Sequence, residues 1–195
     1  MERRILCIGD SNTYGYDPHS PLGERYPPEN RWPEILAAAT GWTVFNHGVN
    51  GKTIPRRGAE TEAELRAAQD ALPLSCVIIM LGSNDALTMG TPSSKRIAEK
   101  MESFLRAFRL RFPDLPLLLV APPRTDVPLA HVQDVFWELV PLYRDLSVRF
   151  GTWFVSAPSW DLPLGEDCVH FTEEAHETFA KNIRQYLEKK LNGSV

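Results

Sequence analysis

The stretch Arg4-Ile5-Leu6-Cys7-Ile8-Gly9-Asp10-Ser11-Asn12 decides how this chain is read. Ile5 to Ile8 is a short unbroken apolar run, the pattern of a strand buried on both faces of a parallel sheet. It leads straight into Gly9-Asp10-Ser11, which places a hydroxyl at the carboxyl end of that strand. In open α/β sheets, ligands and catalytic groups collect at this edge. Toward the other end of the chain, Asp167-Cys168-Val169-His170 puts a carboxylate and an imidazole on one turn of backbone. Between them, Cys76-Val77-Ile78-Ile79-Met80-Leu81 is the clearest buried strand, followed by Gly82-Ser83-Asn84-Asp85. Nucleophile, base and orienting acid are the parts of a serine hydrolase.

Working outward, strands alternate with helical patterns and no repeat or linker interrupts them. Further strands are expected at Thr43 to Asn46, Leu117 to Ala121 and Trp153 to Ser156. Helices are expected from Arg31 to Ala39 and from Glu60 to Leu72. Another, capped by Ser93 or Ser94, has Ile97, Met101, Phe104, Leu105 and Phe108 on one face. A further helix begins near Val132, and Pro141 should kink or split it. The last is capped by Thr172, buries Ala175, Phe179, Ile183 and Leu187, and ends at Asn192-Gly193. This predicts an α/β chain: a three-layer α/β/α sandwich with a five-stranded parallel sheet, flavodoxin-like, in the order 2-1-3-4-5. One domain, 1–195, is expected.

The composition, 43% hydrophobic over 195 residues with a net charge of −4, supplies a core and shows no basic stripe. A nucleic-acid partner is therefore not expected, nor a membrane span. Only four apolar residues separate Arg4 from Gly9, too few for a secretory signal, so the cytoplasm is the expected location. Three cysteines without paired spacing fit a reducing compartment. The five histidines lack ligand spacing, so neither a metal nor another cofactor is expected.

In such a sheet the loops after strands one, two, three and five open on one edge. They carry Ser11, Asn46 to Gly51, Gly82 to Asp85 and Asp167 to His170. Each has a plain structural reading: Ser11 as a helix cap, Gly48 and Gly51 as turn glycines, Asn84-Asp85 as a self-bonded loop, His170 as a helix-entry residue. All would have to hold together. Against them, Ser11 needs a base, for which His170 is the candidate, and Asp167 would fix its tautomer. The amides of Ser11 and Gly51 and the side chain of Asn84 are suitable oxyanion donors, Gly51 because no Cβ would stand in the way. Lys52, Arg56 and Arg57 could attract an anionic substrate, but a solvated loop explains them as well.

With these residues on the page, the sequence resembles the SGNH (GDSL-type) hydrolases. Gly9-Asp10-Ser11, Gly51, Gly82-x-Asn84-Asp85 and Asp167-x-x-His170 match the family's four blocks in order. Arg4 to Ser11, Thr13-x-Gly15 and Val77 to Gly82 are similar to the bacterial arylesterase/acyltransferase branch. The resemblance implies an intracellular, oligomeric serine esterase acting on short acyl or aryl esters, with acyl transfer as a further activity. Asn12 stands where the GDSL name expects Leu and bears on substrate fit; Tyr14 and Tyr16 are candidates for the pocket wall. No long apolar lid is visible, and the loops after Gly82 and Ala121 read as short. A carbohydrate O-acetylesterase is the alternative within enzymes, and a non-catalytic flavodoxin-like binding module the alternative outside them.

Overall fold

A computed structural model describes residues 2–20, 22–88 and 93–193. Strands β1 (Arg4–Gly9), β2 (Thr43–Gly48), β3 (Cys76–Met80), β4 (Leu117–Ala121) and β5 (Trp153–Ser156) form a parallel sheet in the order β2-β1-β3-β4-β5. This is the expected order. Ile8 is level with His47 of β2 and with Ile79 of β3. The segments that follow these three strands therefore emerge side by side.

The unbroken apolar strands explain the layers. Side chains alternate across a strand, so β1, β3 and β4 each supply both faces. Ile5, Cys7, Cys76, Ile78, Met80, Leu118 and Val120 pack on one side, against α2 (Trp32–Thr40) and α7 (Glu173–Leu191). Leu6, Ile8, Val77, Ile79 and Leu119 pack on the other. There they meet α3 (Ala59–Asp70), α5 (Ser94–Arg111) and α6 (Ala130–Phe150). Burying each large aliphatic side chain contributes roughly 1.5–3 kcal/mol, which drives the sheet to accept helices on both faces.

Local signals end the helices where expected. Ser93 Oγ accepts from Arg96 N at 3.5 Å and Thr172 Oγ1 from Ala175 N at 3.2 Å. Helix α7 has Glu173 and Glu174 in its first turn and Lys189 and Lys190 in its last, matching the helix dipole. Its buried face is Ala175, Phe179, Ile183 and Leu187, with His176 and Ala180 added. Pro141 does not split its helix, which is one element from Ala130 to Phe150. It lies on the exposed side, four residues after Trp137, itself half exposed. The carbonyl left without a donor there faces water, which satisfies it.

Two short helices go beyond the sequence reading, α1 (Ser11–Tyr14) and α4 (Ser83–Thr88). Each begins directly at the carboxyl end of a strand, β1 and β3, at the edge where the candidate groups collect. The loop after Ala121, read as short, is extended over 122–129, and its Asp126 N donates to Cys168 O at 2.8 Å. The loop after Gly82, also read as short, is described only to Thr88; residues 89–92 lie outside the described residues.

Candidate active site

The first turn after β1 is held by Asp10, not by Ser11. Asp10 Oδ1 accepts from Asn12 N at 3.0 Å, and its carbonyl accepts from Thr13 N and Tyr14 N. Asp10 is thus the N-cap and Ser11 the first residue of α1, which corrects the reading of Ser11 as a cap. The turn lies directly on the end of β2. A Cβ at Gly48 would sit 2.1 Å from Tyr14 N, so Gly48 is there for close approach rather than for a turn.

Ser11 Oγ lies 2.8 Å from His170 Nε2, and His170 Nδ1 lies 2.6 Å from Asp167 Oδ2. Asp167 Oδ1 also accepts from the backbone amides of Val169 and His170, each at 3.0 Å. Partial burial pushes the Asp167 carboxyl upward, but these bonds from His170 and Val169 outweigh it and hold it below its ordinary range. The carboxylate therefore stays charged beside the imidazole. Cys168 between them adopts a left-handed φ of 61°, and Gly165 N donates to His170 O at 2.8 Å. The ring of Tyr16 lies against the imidazole with centroids 4.4 Å apart.

Asn12, expected to bear on substrate fit, is engaged elsewhere. It is 3% exposed. Its Nδ2 donates to Val169 O at 3.2 Å and its Oδ1 accepts from Phe171 N at 2.9 Å. These are the residues on either side of His170, so the neighbour of Ser11 grips the loop that carries the imidazole. Tyr14 is likewise occupied: the Arg25 guanidinium stands over its ring at 4.2 Å, and Arg25 Nε donates to its carbonyl at 2.8 Å. Of the three residues proposed for substrate contact, Tyr16 alone touches the imidazole in the recorded ring contacts.

Asn84 opens α4, and its Nδ2 donates to Lys52 O at 3.1 Å. Gly51, one residue earlier in that loop, has φ of 70° and open space where a Cβ would stand. The left-handed backbone is by itself a reason for glycine at this position. Asp85 is fully buried, accepting from Ile54 N at 2.8 Å and from Lys100 Nζ at 2.6 Å. Lys52 is not a solvated cation: its side chain is 12% exposed and its Nζ lies 2.8 Å from Glu64 Oε1. Glu64 was not singled out in the sequence. A signal existed, because Thr61, Glu64, Leu65 and Ala68 share helical spacing and form the buried face of α3.

Asp10 is 1% exposed, and its Oδ2 has no hydrogen-bond partner among the described residues. Burial pushes its carboxyl up to about 6, against the Asn12 amide and the nearby His170.

A serine hydroxyl, an imidazole and a carboxylate in line, with amides gathered at the same edge, can transfer an acyl group. The class defined by this fold and these groups is that of a carboxylic ester hydrolase. The chain belongs to the GDSL-like lipase/acylhydrolase family, whose profile matches residues 7–178. It is 26% identical over 197 residues to the GDSL lipase Rv0518 of Mycobacterium tuberculosis, covering 97% of this chain and 83% of that protein. Among solved structures it is similar to a candidate arylesterase from Agrobacterium tumefaciens str. C58, at 28% identity and a TM-score of 0.81, covering 96% and 99% of the two chains. It is also similar to Est24, a carbohydrate acetylesterase from Sinorhizobium meliloti, at 25% identity and a TM-score of 0.81, covering 97% and 100%.

Proposed function

We propose that this esterase works through an acyl-enzyme on Ser11 and prefers short-chain acyl or aryl esters. The observation that carries this reading is the relay from Asp167 Oδ2 to His170 Nδ1 and from His170 Nε2 to Ser11 Oγ, at 2.6 and 2.8 Å. His170 takes the hydroxyl proton as Ser11 Oγ attacks the ester carbonyl, and Asp167 stabilises the resulting imidazolium. The amides of Ser11 and Gly51, which donate to no partner among the described residues, and the Asn84 side chain bind the developing oxyanion. The imidazolium then protonates the leaving alcohol. Water, activated by the same base, releases the acid; an alcohol in its place completes an acyl transfer.

Ser11→Ala removes turnover of p-nitrophenyl acetate and labelling by a fluorophosphonate, with the fold unchanged by circular dichroism. Substantial turnover by the folded variant would overturn the nucleophile assignment.

Chain-length preference follows from what surrounds the serine. Tyr16 lies against His170, and the apolar Val49, in the loop after β2, is about half exposed. A long tail profits only from a continuous apolar groove, at ~0.8 kcal/mol per buried CH₂. kcat/KM therefore falls from acetate and butyrate to octanoate and palmitate; a maximum at octanoate or beyond would refute the preference.

The carbohydrate O-acetylesterase reading draws on the likeness to the Sinorhizobium meliloti enzyme, and acetylated sugars in the same assay separate the two. We further propose one domain over 1–195 and a cytoplasmic homo-oligomer, with small-molecule esters rather than nucleic acid or membranes as partners. No described helix is long and apolar enough to cross a membrane. All three cysteines are unpaired, which fits a reducing compartment. Light scattering after gel filtration tests the oligomer.

A further inference from the structure

The loop from Val49 to Ile54 carries the Gly51 amide and the carbonyl that holds Asn84. It is anchored from below by two buried acids. Asp85 takes the Ile54 amide, as described above. Glu64, 5% exposed on the inner face of α3, takes the other anchor point. Its Oε1 lies 2.8 Å from Lys52 Nζ, and its Oε2 lies 3.3 Å from His47 Nε2. Lys52 Nζ also donates to His47 O at 3.5 Å, so the ammonium is drawn back under its own loop onto the end of β2. The Lys52 carbonyl then accepts Asn84 Nδ2 at 3.1 Å.

A carboxylate and an ammonium removed from water together rarely stabilise a fold more than an apolar pair would. Burial pushes the Glu64 carboxyl upward, but the hydrogen bonds from His47 and Lys52 prevail and hold it below its ordinary range. The Glu64 carboxylate, 2.8 Å from the ammonium, keeps Lys52 in place. Gly51, the residue before Lys52, has a left-handed φ of 70° and no atom within 4 Å of where a Cβ would stand. Oxyanion donors are effective because they are aimed before charge appears on the substrate. A misplacement of about 1 Å costs up to 10²-fold.

We propose that Glu64 is a positioning residue of the esterase: through Lys52 it fixes the carbonyl that aims the Asn84 amide. The proposal rests on the reading of Asn84 as an oxyanion donor. Glu64 touches neither substrate nor the reacting atoms; it acts through the loop.

The test is a double-mutant cycle on the whole enzyme with p-nitrophenyl acetate. Glu64→Gln keeps the side chain's size and removes its charge. Lys52→Met keeps the stem and removes the ammonium, and it carries the cycle if Glu64→Gln does not fold. Each lowers kcat about ten-fold with KM little changed. On an Asn84→Ala background, itself slowed by about 10²–10³, the same changes cost less than about two-fold. Asn84→Ala with wild-type kcat would overturn the oxyanion reading and this proposal with it. A slow Asn84→Ala beside a fully active Glu64→Gln would overturn the proposal alone. So would an undiminished ten-fold loss on the Asn84→Ala background, because Glu64 would then act through something other than Asn84.

Discussion

Asn12 shows how much one side chain beside a nucleophile can do. Where the GDSL name expects Leu, its amide bonds both neighbours of His170 and ties the α1 turn to the His170 loop. The relay distances thereby depend on a buried polar contact rather than on a lid. Asn12→Leu leaves the Phe171 amide and the Val169 carbonyl without partners, at about 1–3 kcal/mol for each buried group left unsatisfied. We expect a lower urea midpoint together with a kcat reduced at nearly unchanged KM. A rise in KM alone would instead return Asn12 to substrate contact.

At the scale of elements, Arg109 joins the ends of two helices. Its guanidinium donates to Phe150 O at 2.8 Å, Gly151 O at 3.0 Å and Leu115 O at 2.7 Å, with Pro113 O at 3.4 Å. These are carbonyls at the close of α6 and just after α5, where helices leave acceptors unpaired and their dipoles favour a cation. Arg109→Ala should cost about 2–3 kcal/mol, since several charge-assisted bonds are lost at a partly solvated site. This joint is at the opposite edge of the sheet from Ser11, because β4 and β5 start there. Esterase kcat at 25 °C should therefore be unaffected while Tm falls; parallel loss of both would show that the α5–α6 joint reaches the active edge.

Two buried groups contribute to the molecule's pH response with opposite sign. Burial pushes His176, between Tyr26 and Phe171, down to about 3, so it stays neutral when folded. The unfolded chain binds that proton from about 6.5 downward, so stability is lost as pH falls from 6.5 toward 3. Asp10 does the reverse. Its carboxyl is raised from 3.8 to about 6, so the folded chain holds the proton longer and stability falls as pH rises through that range. The Asp10 effect amounts to about 3 kcal/mol. Asp10→Asn should therefore steepen the rise of stability with pH between 4 and 6 and increase stability above pH 6. His176→Asn should flatten the acid limb, whatever it costs at pH 8. Urea titrations at intervals from pH 4 to pH 8 measure both slopes, and an unchanged slope in either variant would contradict its assignment.

At the same scale, the chain divides into what its sequence determined and what folding decided. Sequence alone did not fix the strand order, but the two-faced burial of β1, β3 and β4, the caps at Ser93 and Thr172, and the candidate segment that follows each strand were legible. Each rests on local periodicity or on short-range hydrogen bonding, which a linear string records. Pro141 does not split its helix, because whether a proline breaks a helix depends on where it faces, and this one is exposed. The surroundings of Ser11, Gly48 and Asn12 escaped the sequence reading for a related reason. They are set by partners 34 to 159 residues away in the chain, as the bond from Phe171 to Asn12 illustrates. Lys52 read as part of a solvated loop and Glu64 drew no reading, and only the packing of α3 beneath the β2 loop made them a buried pair. Which polar groups lose water is decided by tertiary contact alone; that loss of water shifts Asp10 and His176 from their ordinary behaviour, while at Glu64 the partners His47 and Lys52 outweigh it.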